Sequence, residues 1–406
     1  MERAEITEKE AKERYENLLL LGKRLFDRAN ELIELDVQGG LTFDGARFDI
    51  VLTKKQLDSA KTEIDRVVGR KPLPGKMGIC IPYDLPNFLG IFYGAPPYMA
   101  GIPVELHFAS INKSVAKIWD EVIKSEGIEG MKIDTKMSGR DFGNYCIENG
   151  EVRHFIIAGG EPVVDLYTSP QVTSKLDTVT VFGPTRPKVL IMDSNTIDYV
   201  KSCNAMFDSG QVCGLDKEII PTSKNYDYIK EQLKKMVQNT TYGTPKDTVG
   251  PIRDMPAFRR AVEILQQFKS NKQHYEIIAG GGYDEKAQVV EPTLVEAHSE
   301  IDPHISCFAP ILILNKGAKN NPDAVIKAKH DNIHGYLVSV YADPIEAFEY
   351  EGLLKQDFGL VRLNSSIMAE SIDWPYGGYG KSFAFCSKGR LIRGRIYLSR
   401  ELTVPA

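Results

Sequence analysis

The sequence predicts an α/β protein, because short apolar runs typical of buried strands alternate with amphipathic stretches typical of helices. Such alternation produces βαβ units, whose strands form a largely parallel sheet. The chain has 406 residues, more than a single hydrophobic core usually serves. A helical region separates two series of alternating elements, so we expect two α/β domains that meet near residue 185.

The first elements are predicted to be helices. Residues 1–36 carry apolar side chains at helical spacing, among them Leu18, Phe26 and Ile33, and indicate one long amphipathic helix. A second helix is expected from about 53 to 68, and it ends at the glycine- and proline-containing stretch 69–74.

Two series of strands follow these helices. In the first series a helix is expected at 114–125, and strands are expected at 78–82, 104–108, 131–133, 152–158 and 178–182. In the second series helices are expected at 226–237 and 255–270, and strands at 189–192, 218–220, 275–278, 311–314, 337–341 and 360–363. Residues 394–406 are predicted to form a strand that leaves the second domain.

Composition excludes several classes of protein. The formal net charge of −5 is spread along the chain without a basic block, which argues against a nucleic-acid partner. No stretch reaches the roughly 18 apolar residues of a membrane span, and the charged N-terminus does not resemble a signal peptide. Six cysteines without CxxC spacing predict a reducing cytoplasm and no metal site.

The most informative stretch is FDSGQVC, which runs from Phe207 to Cys213. A lone cysteine is most often a small buried hydrophobe. A thiolate, however, can add to a carbonyl carbon and later depart, which prepares that carbon for hydride transfer. Gly210, before Gln211, would let backbone N–H groups approach the reacting oxygen, as an oxyanion hole requires. We therefore expect Cys213 to be a nucleophile.

This stretch resembles the N-x-G-Q-x-C nucleophile loop of the aldehyde dehydrogenase superfamily. Further segments resemble the family's other motifs in the same order over about 75–406. These segments are PYDLP at 82–86, AGIPV at 100–104, FIIAGG at 155–160, GP at 250–251, GGG at 280–282, EPT at 291–293, FAP at 308–310 and PYGG at 375–378. The resemblance implies a Rossmann-like nucleotide-binding domain at 1–183, a catalytic domain at 184–393, and a C-terminal strand at 394–406 that contributes to oligomerisation.

The resemblance also implies a dinucleotide cofactor, NADP or NAD. The glycine turn after the strand at 152–158 corresponds to the family's pyrophosphate-binding turn, where glycines permit close approach of backbone to phosphate. Without that context, a glycine pair after a strand is an ordinary turn. The positions that the resemblance assigns to cofactor binding are His107, Gly159, Gly160, Phe182, Gly183 and Phe308.

Several positions depart from the family's pattern. The glutamate that activates the deacylating water is matched by Val181, within the segment VFGPT. The two ribose-contacting positions are matched by His107 and Ser306. The asparagine that donates to the oxyanion is matched by Asp84, which can donate only when protonated. We therefore expect Asp84 to be protonated, turned away, or a turn-capping residue.

Without the water-activating glutamate, hydrolysis of an acyl-enzyme should be slow, since general-base help contributes about 10²–10⁴-fold. The VFGPT segment resembles the fatty acyl-CoA reductases of the bioluminescence type. We therefore predict that Cys213 accepts an acyl group from coenzyme A or an acyl carrier protein, and that reduction releases an aldehyde. Two alternatives stay open: oxidation of an aldehyde, and a non-redox or catalytically silent family member that acts as a binding subunit. A homodimer is expected because closed two-fold assemblies are the commonest.

Overall fold

The computed structural model describes residues 4–192, 199, 202–306, 308–330, 332–365 and 376–406. The helices are α1 (Glu8–Asp27), α2 (Ala29–Gly39), α3 (Phe43–Ser59), α4 (Glu63–Val67), α5 (Pro86–Met99), α6 (Lys113–Ser125), α7 (Gly139–Glu148), α8 (Glu161–Tyr167), α9 (Pro170–Thr173), α10 (Tyr226–Asn239), α11 (Met255–Ser270), α12 (Asn321–Lys329), α13 (Pro344–Leu354) and α14 (Leu398–Glu401).

The strands begin after the N-terminal helices, at Arg70, and continue to Pro405 near the end of the chain. They are β1 (Arg70–Pro72), β2 (Lys76–Ile81), β3 (Val104–Phe108), β4 (Met131–Asp134), β5 (Val152–Ala158), β6 (Thr178–Phe182), β7 (Lys188–Ile191), β8 (Glu218–Pro221), β9 (Tyr275–Ala279), β10 (Tyr283–Asp284), β11 (Val289–Val290), β12 (Thr293–Ala297), β13 (Ile311–Asn315), β14 (His334–Gly335), β15 (Leu337–Tyr341), β16 (Leu360–Leu363), β17 (Tyr376–Gly380), β18 (Phe383–Ser387), β19 (Arg390–Ile392), β20 (Gly394–Ile396) and β21 (Thr403–Pro405).

Two seven-stranded sheets organise the described chain. The first sheet has the order β19-β18-β6-β5-β2-β3-β4, and the second has the order β16-β15-β7-β8-β13-β12-β9. Within each sheet the central pairings are parallel, whereas β18, β19 and β9 join antiparallel. The α/β prediction is therefore confirmed. The strands are continuous apolar runs because helices cover both faces of a parallel sheet.

The N-terminal helices differ from the prediction. The predicted helix at 1–36 is two helices that break at Arg28, whose backbone leaves the helical region. A capping box between Thr7 and Glu10 starts the first of them. The helix predicted from 53 begins ten residues earlier, at Phe43, because the Thr42 side chain accepts a hydrogen bond from the Gly45 N–H.

The C-terminal part of the chain returns to the first sheet. Strand β18 pairs with β6, and β19 pairs with β18, so residues 383–392, which the prediction places in the second domain, extend the first sheet. The tail predicted as one strand is two short strands separated by a helical turn. Strand β20 pairs with β17, and β21 pairs with β1 of the same chain. A role of 394–406 in oligomerisation and the domain boundaries stay predictions.

The described helices give no candidate for a membrane span, since none is both long and apolar enough.

Candidate active site

A cavity of about 960 Å³ lies between the two sheets. In the first sheet it touches the residues that directly follow β2, β5 and β6, and in the second part of the chain it touches Cys213. The carboxyl ends of parallel strands are where ligands bind in open α/β sheets. Of the predicted site residues, the cavity is lined by Asp84, Gly159, Gly160, Phe182, Gly183, Cys213 and Phe308.

The loop before Cys213 has an unusual backbone. Asp208, Ser209 and Gly210 are three consecutive residues with positive φ, at 46°, 56° and 68°. A Cβ on Gly210 would lie 2.2 Å from the Ala309 carbonyl oxygen, so only glycine fits there. Non-glycine residues in this region cost about 1–3 kcal/mol each and persist where the surroundings hold them. The strain lies directly beside the candidate nucleophile.

Three polar side chains hold this loop in place. Asp208 Oδ1 accepts a hydrogen bond from the Thr42 N–H at 2.7 Å, and Ser209 Oγ donates to the Gly250 carbonyl at 3.1 Å. Buried Lys217 donates from Nζ to the carbonyls of Gly210 and Ala309, at 2.6 and 2.9 Å. A charged donor that links the two backbone segments fixes the position from which Cys213 projects.

Cys213 is half-buried on the cavity wall, and burial raises the pKa of its thiol to about 12. The charge of Asp84 adds to this rise. The Tyr336 hydroxyl and the backbone N–H groups of Cys213 and Gly214 oppose it by hydrogen bonding. The resting residue is therefore a thiol, and no described helix begins at Cys213 to favour the thiolate. Attack on a carbonyl then requires that the proton be removed.

Asp84 lies in the turn after β2 and is 8% exposed. Burial raises the pKa of its carboxyl to about 7, against the lowering effect of a backbone hydrogen bond, and Asp208, Asp49 and Asp254 raise it further. Near neutral pH the residue is therefore divided between its two forms. The protonated form can donate a hydrogen bond, as the family's asparagine does, and the ionised form can accept a proton.

Two more carboxyl groups support the turn that carries Asp84. Leu85, at φ 44°, precedes α5 and gives it no side-chain cap. Asp49 of α3 replaces that cap, since Oδ1 accepts from the Phe88 N–H at 2.7 Å and Oδ2 accepts from the Asn87 N–H at 3.0 Å. Asp36 is hydrogen-bonded to Asp49, and burial raises the pKa of both.

Aromatic rings form one wall of the cavity. Phe182 stacks on Tyr93 with ring centroids 4.6 Å apart, and Phe92 stacks on Tyr376 at 4.6 Å. Gly183 follows Phe182 and has no room for a side chain, because a Cβ would lie 1.8 Å from the Lys381 carbonyl oxygen. The segment after β6 is therefore shaped by packing against the returning C-terminal strands. Pro375 of the predicted PYGG loop lies outside the described residues.

The residues predicted to bind the cofactor differ in whether they are open to a ligand. Gly160 is exposed, and a Cβ there would meet only Pro162 Cδ, at 3.7 Å, so the turn is open to a ligand. His107 does not line the cavity. Its Nδ1 lies 2.9 Å from Asp134 Oδ2, and its buried Nε2 has no hydrogen-bond partner in the described part of the chain. Ser306 donates from Oγ to the Thr185 carbonyl at 2.7 Å.

These observations fit a dinucleotide in part. The open turn at Gly160 provides a groove for backbone contact with phosphate, and His107 Nε2 is a buried polar atom that a ligand hydroxyl can satisfy. Ser306, by contrast, already donates its hydroxyl hydrogen to the Thr185 carbonyl. Among the predicted cofactor positions, the glycine turn is therefore open to a dinucleotide, whereas His107 is buried outside the cavity lining.

Sequence reasoning missed four residues of the site. Tyr336 lines the same cavity as Cys213, and a lone tyrosine beside a strand gives no signal of this in sequence. Glu161 follows the glycine turn, and its carboxylate lies 2.9 Å from His304 Nδ1 and 3.1 Å from His334 Nε2. Burial lowers the pKa of His334 to about 4, helped by the charge of Arg186 and opposed by Glu161. These contacts join segments far apart in sequence.

Among the described side chains, one group has the spacing of metal ligands: Glu276, Glu296 and His298. These residues do not line the cavity. Lys230 Nζ donates to Glu296 Oε2 at 2.8 Å, and the Tyr226 hydroxyl donates to the other oxygen. Because protein groups already satisfy this carboxylate, we assign no metal there.

The fold and the site define a two-domain α/β protein with a cysteine on the wall of a large cavity between its sheets. The sequence profile of the Aldehyde dehydrogenase family matches residues 3–390. The chain therefore belongs to the aldehyde dehydrogenase family, as predicted. The match includes the N-terminal helices, which lie outside the stretch 75–406 that the motifs indicated.

Known proteins agree with this assignment. A mitochondrial aldehyde dehydrogenase from Leishmania tarentolae is 22% identical over 329 residues, 78% of this chain and 64% of that protein. The putative aldehyde dehydrogenase AldY from Bacillus subtilis (strain 168) is 27% identical over 175 residues, 42% of this chain and 34% of that protein. The chain spans 34% to 64% of the length of the curated relatives it matches.

A solved structure shows the same fold. The aldehyde dehydrogenase of Mycobacterium tuberculosis complexed with NAD⁺ is similar with a TM-score of 0.83 at 18% identity, over 98% of this chain and 85% of that chain. At this identity the likeness concerns the fold. The resemblance to the fatty acyl-CoA reductase branch is not confirmed by these relatives.

Proposed function

We propose that this chain is an NAD(P)-dependent oxidoreductase that reduces an acyl thioester to an aldehyde through an acyl group on Cys213. The donor would be a coenzyme A ester or a carrier-protein thioester, and the working assembly would be a homodimer. The proposal depends above all on Cys213 facing the cavity while Val181 stands where the family's water-activating glutamate is expected.

Val181 supports this direction of reaction through its surroundings. The side chain lies in β6, is fully buried and packs in an apolar cluster that includes Val179 and Ala384. It does not line the cavity. A thioester on Cys213 would therefore lack a base at this position, so attack by water would be slow. Reduction or transfer to a thiol would then be the faster fates.

The cavity wall also suits an acyl-enzyme. Its aromatic and aliphatic lining disfavours water beside the thioester. The lining residues of this kind include Phe48, Leu52, Leu85, Phe88, Leu89, Phe92, Tyr93, Phe182, Val212, Phe308, Leu360 and Tyr376. An apolar acyl group is favoured over a charged one for the same reason.

Asp84 is the group that would move the proton during acyl transfer. As the bond between Cys213 Sγ and the acyl carbon forms, ionised Asp84 takes the thiol proton. The carbon–sulfur bond to the donor then breaks, and protonated Asp84 returns that proton to the departing thiolate. With a pKa of about 7, Asp84 can perform both steps near neutral pH.

A nicotinamide dinucleotide held by the glycine turn would supply the hydride. Cys213 would recover the electron pair of its carbon–sulfur bond as the acyl carbon is reduced and the aldehyde is released. The NAD⁺ complex of the Mycobacterium tuberculosis relative and the NADP complex of glyceraldehyde-3-phosphate dehydrogenase GapN from Methanocaldococcus jannaschii DSM 2661 support this cofactor class.

One observation favours a second candidate, the oxidation of an aldehyde. Asp84 lies on the same cavity as Cys213 and is ionised in part near neutral pH. It can therefore activate a water molecule in place of the missing glutamate. This candidate predicts dinucleotide reduction with an aldehyde when no thiol acceptor is present.

The test is to incubate the full chain with acyl-CoA, without dinucleotide, and to locate the acyl group by peptide mass spectrometry. We expect one adduct, on Cys213, which is absent from Cys213→Ala and retained by Cys386→Ala. Cys386 is a suitable control because it is buried in β18 and does not line the cavity. An unmodified Cys213 after incubation with a panel of acyl-CoA donors would rule out the proposal.

A further inference from the structure

A second cavity, of about 190 Å³, lies at the second sheet. It is lined by residues of β7, β8, β12, β13 and α12 and of the segments next to them. Of the described residues, none lines both this second cavity and the one that Cys213 lines. The charged and imidazole side chains of its lining are Arg186, Lys188, Glu218, His298, Glu300, Lys316, Lys327 and His330.

Positive charge exceeds negative charge in this lining. Four of the lining side chains carry a guanidinium or an ammonium group, whereas two, those of Glu218 and Glu300, carry a carboxylate. The Glu300 side chain is 79% exposed, so water and salt screen most of its charge. Glu218, by contrast, is 3% exposed. The second cavity therefore favours an anion over a cation or a neutral ligand.

Two buried cations share the Glu218 carboxylate. Its Oε2 lies 3.1 Å from Arg186 Nε and 3.8 Å from Lys188 Nζ. Arg186 is 4% exposed and Lys188 is 1% exposed, so neither charge is well solvated. Together the three side chains carry a net positive charge at the wall of the second cavity. Burying an excess charge is costly, and an anion beside it lowers that cost.

The ion pair between Arg186 and Glu218 is loosely matched. Although Arg186 Nε and Glu218 Oε2 are close, they are not aligned for a hydrogen bond, and within the described part of the chain neither atom makes one. Arg186 Nη1 donates to the carbonyls of Asp302 and Ile305, at 2.8 and 3.2 Å. The guanidinium is therefore held in place by backbone, and an anion can approach it without breaking a hydrogen bond to Glu218.

Lys327 brings another ammonium group to the second cavity. Its Nζ donates to the carbonyls of Lys316 and Gly317, each at 3.2 Å. These neutral acceptors position Nζ and do not cancel its charge. Burial raises the pKa of Glu218, yet the net result is a lowered pKa, because the surrounding cations, Lys327 among them, favour the carboxylate. Lys327 thus adds to the positive field in this part of the molecule.

We propose that the second cavity binds a dianionic phosphate group, either inorganic phosphate or the phosphate of a monoester. Its volume of about 190 Å³ compares with the ~30 Å³ that one water molecule takes in the liquid, so a tetrahedral phosphate fits with room for water. Arginine offers a planar fork of donors that matches phosphate oxygens, and lysine offers a compact charge. The site is independent of the acyl transfer proposed above.

Isothermal titration of the full chain with inorganic phosphate, against sodium chloride at matched ionic strength, tests the proposal. We expect saturable binding that Lys327→Gln weakens about tenfold or more, as when a charged hydrogen bond is lost. Lys316→Gln, at an exposed position that does not endanger folding, should weaken it about two- to fivefold. No saturable heat at millimolar phosphate would overturn the proposal.

Lys319→Gln is the matched control. Lys319 is exposed in the same loop as Lys316 and does not line the second cavity, so the variant removes the same charge and should bind phosphate as wild type does. If Lys316→Gln and Lys327→Gln also bound it as wild type does, phosphate would lie elsewhere and the proposal would fail. An equal loss in Lys319→Gln would attribute the effect to net charge and overturn it too. If Lys327→Gln does not fold, the comparison of Lys316→Gln with Lys319→Gln decides.

Titration with methyl phosphate distinguishes the two sources of the phosphate group. Methyl phosphate that binds as tightly as inorganic phosphate would support a site open to a monoester. Binding of inorganic phosphate alone would support a site for the free anion, and failure of both probes would refute the proposal. None of these outcomes depends on acylation of Cys213, so the phosphate site and the thioester reductase are tested separately.

Discussion

Replacing Asp84 by asparagine tests the electrostatics of the site in a way that does not depend on substrate. The Asp84 carboxyl has a pKa of about 7 in the folded chain, against an ordinary value of 3.8, mainly because it is buried. Asparagine has nearly the same shape and does not ionise. We expect Asp84→Asn to be more stable than wild type at pH 8 and equally stable at pH 4.

The direction follows from proton binding. Between pH 3.8 and about 7 the folded chain keeps the Asp84 proton, whereas the unfolded chain has released it. The free energy of unfolding therefore falls as the pH rises through this window and is constant above it. The two pKa values lie about three pH units apart, and each unit is worth about 1.36 kcal/mol. Ionisation of Asp84 thus costs the wild type about 4 kcal/mol above pH 7.

Thermal unfolding, followed by circular dichroism at intervals from pH 4 to pH 8, measures this effect. Asp227→Asn is the control, since Asp227 is exposed on the first turn of α10. The difference in unfolding midpoint between Asp227→Asn and wild type should change little with pH. The reasoning would be refuted if Asp84→Asn gave the same midpoint difference from wild type at every pH, or if it were the less stable protein at pH 8.

Three further variants probe the surroundings of the nucleophile. Gly210→Ala should lose at least about 2 kcal/mol of unfolding free energy, because alanine is strained at positive φ and its Cβ meets the Ala309 oxygen; Gly150→Ala, where a Cβ meets nothing within 4 Å, should not. Lys217→Met should lose about 3–5 kcal/mol in urea unfolding, because two carbonyls lose a charged donor. His334→Gln should make the free energy of unfolding less sensitive to acid. Burial lowers the pKa of His334 from 6.5 to about 4, so the wild type loses up to about 3 kcal/mol of unfolding free energy as the pH falls through that window. Unfolding of wild type and His334→Gln with the same pH dependence would contradict this.

The sheets were largely predictable because their strands are buried on both faces. The segments 104–108, 152–158, 178–182, 337–341 and 360–363 match the observed strands residue for residue. A run of apolar, β-branched residues between turns leaves few alternatives in a parallel sheet. The α/β class and the order of the elements therefore followed from local pattern.

Boundaries set by side-chain contacts were not predictable in the same way. The break at Arg28 coincides with no glycine or proline, and its guanidinium binds Glu31 and the distant Glu121. The return of β18 to β6 joins residues some two hundred positions apart. A sequence pattern reports local preference, whereas these features depend on partners that only the fold brings together.

The site was likewise predictable where a local motif identifies a residue, and not where distant segments act on it. Motif spacing placed Asp84 and Cys213 on one cavity, and it placed five glycine and aromatic positions beside them. It could not give the high pKa of Asp84, because that value comes from burial among Asp208, Asp49 and Asp254, which belong to three separate segments. Nor could it reveal Tyr336, which has no motif of its own.

The central claim is that Cys213 carries an acyl group from a thioester to reduction by a dinucleotide. The most direct test follows the absorbance of NADPH or NADH in the presence of a panel of acyl-CoA donors, with wild type, Cys213→Ala and Cys386→Ala. We predict that wild type and Cys386→Ala consume the reduced dinucleotide and release aldehyde, and that Cys213→Ala does neither. Wild type that consumes no dinucleotide with any donor, or Cys213→Ala that consumes it as fast as wild type, would contradict the account.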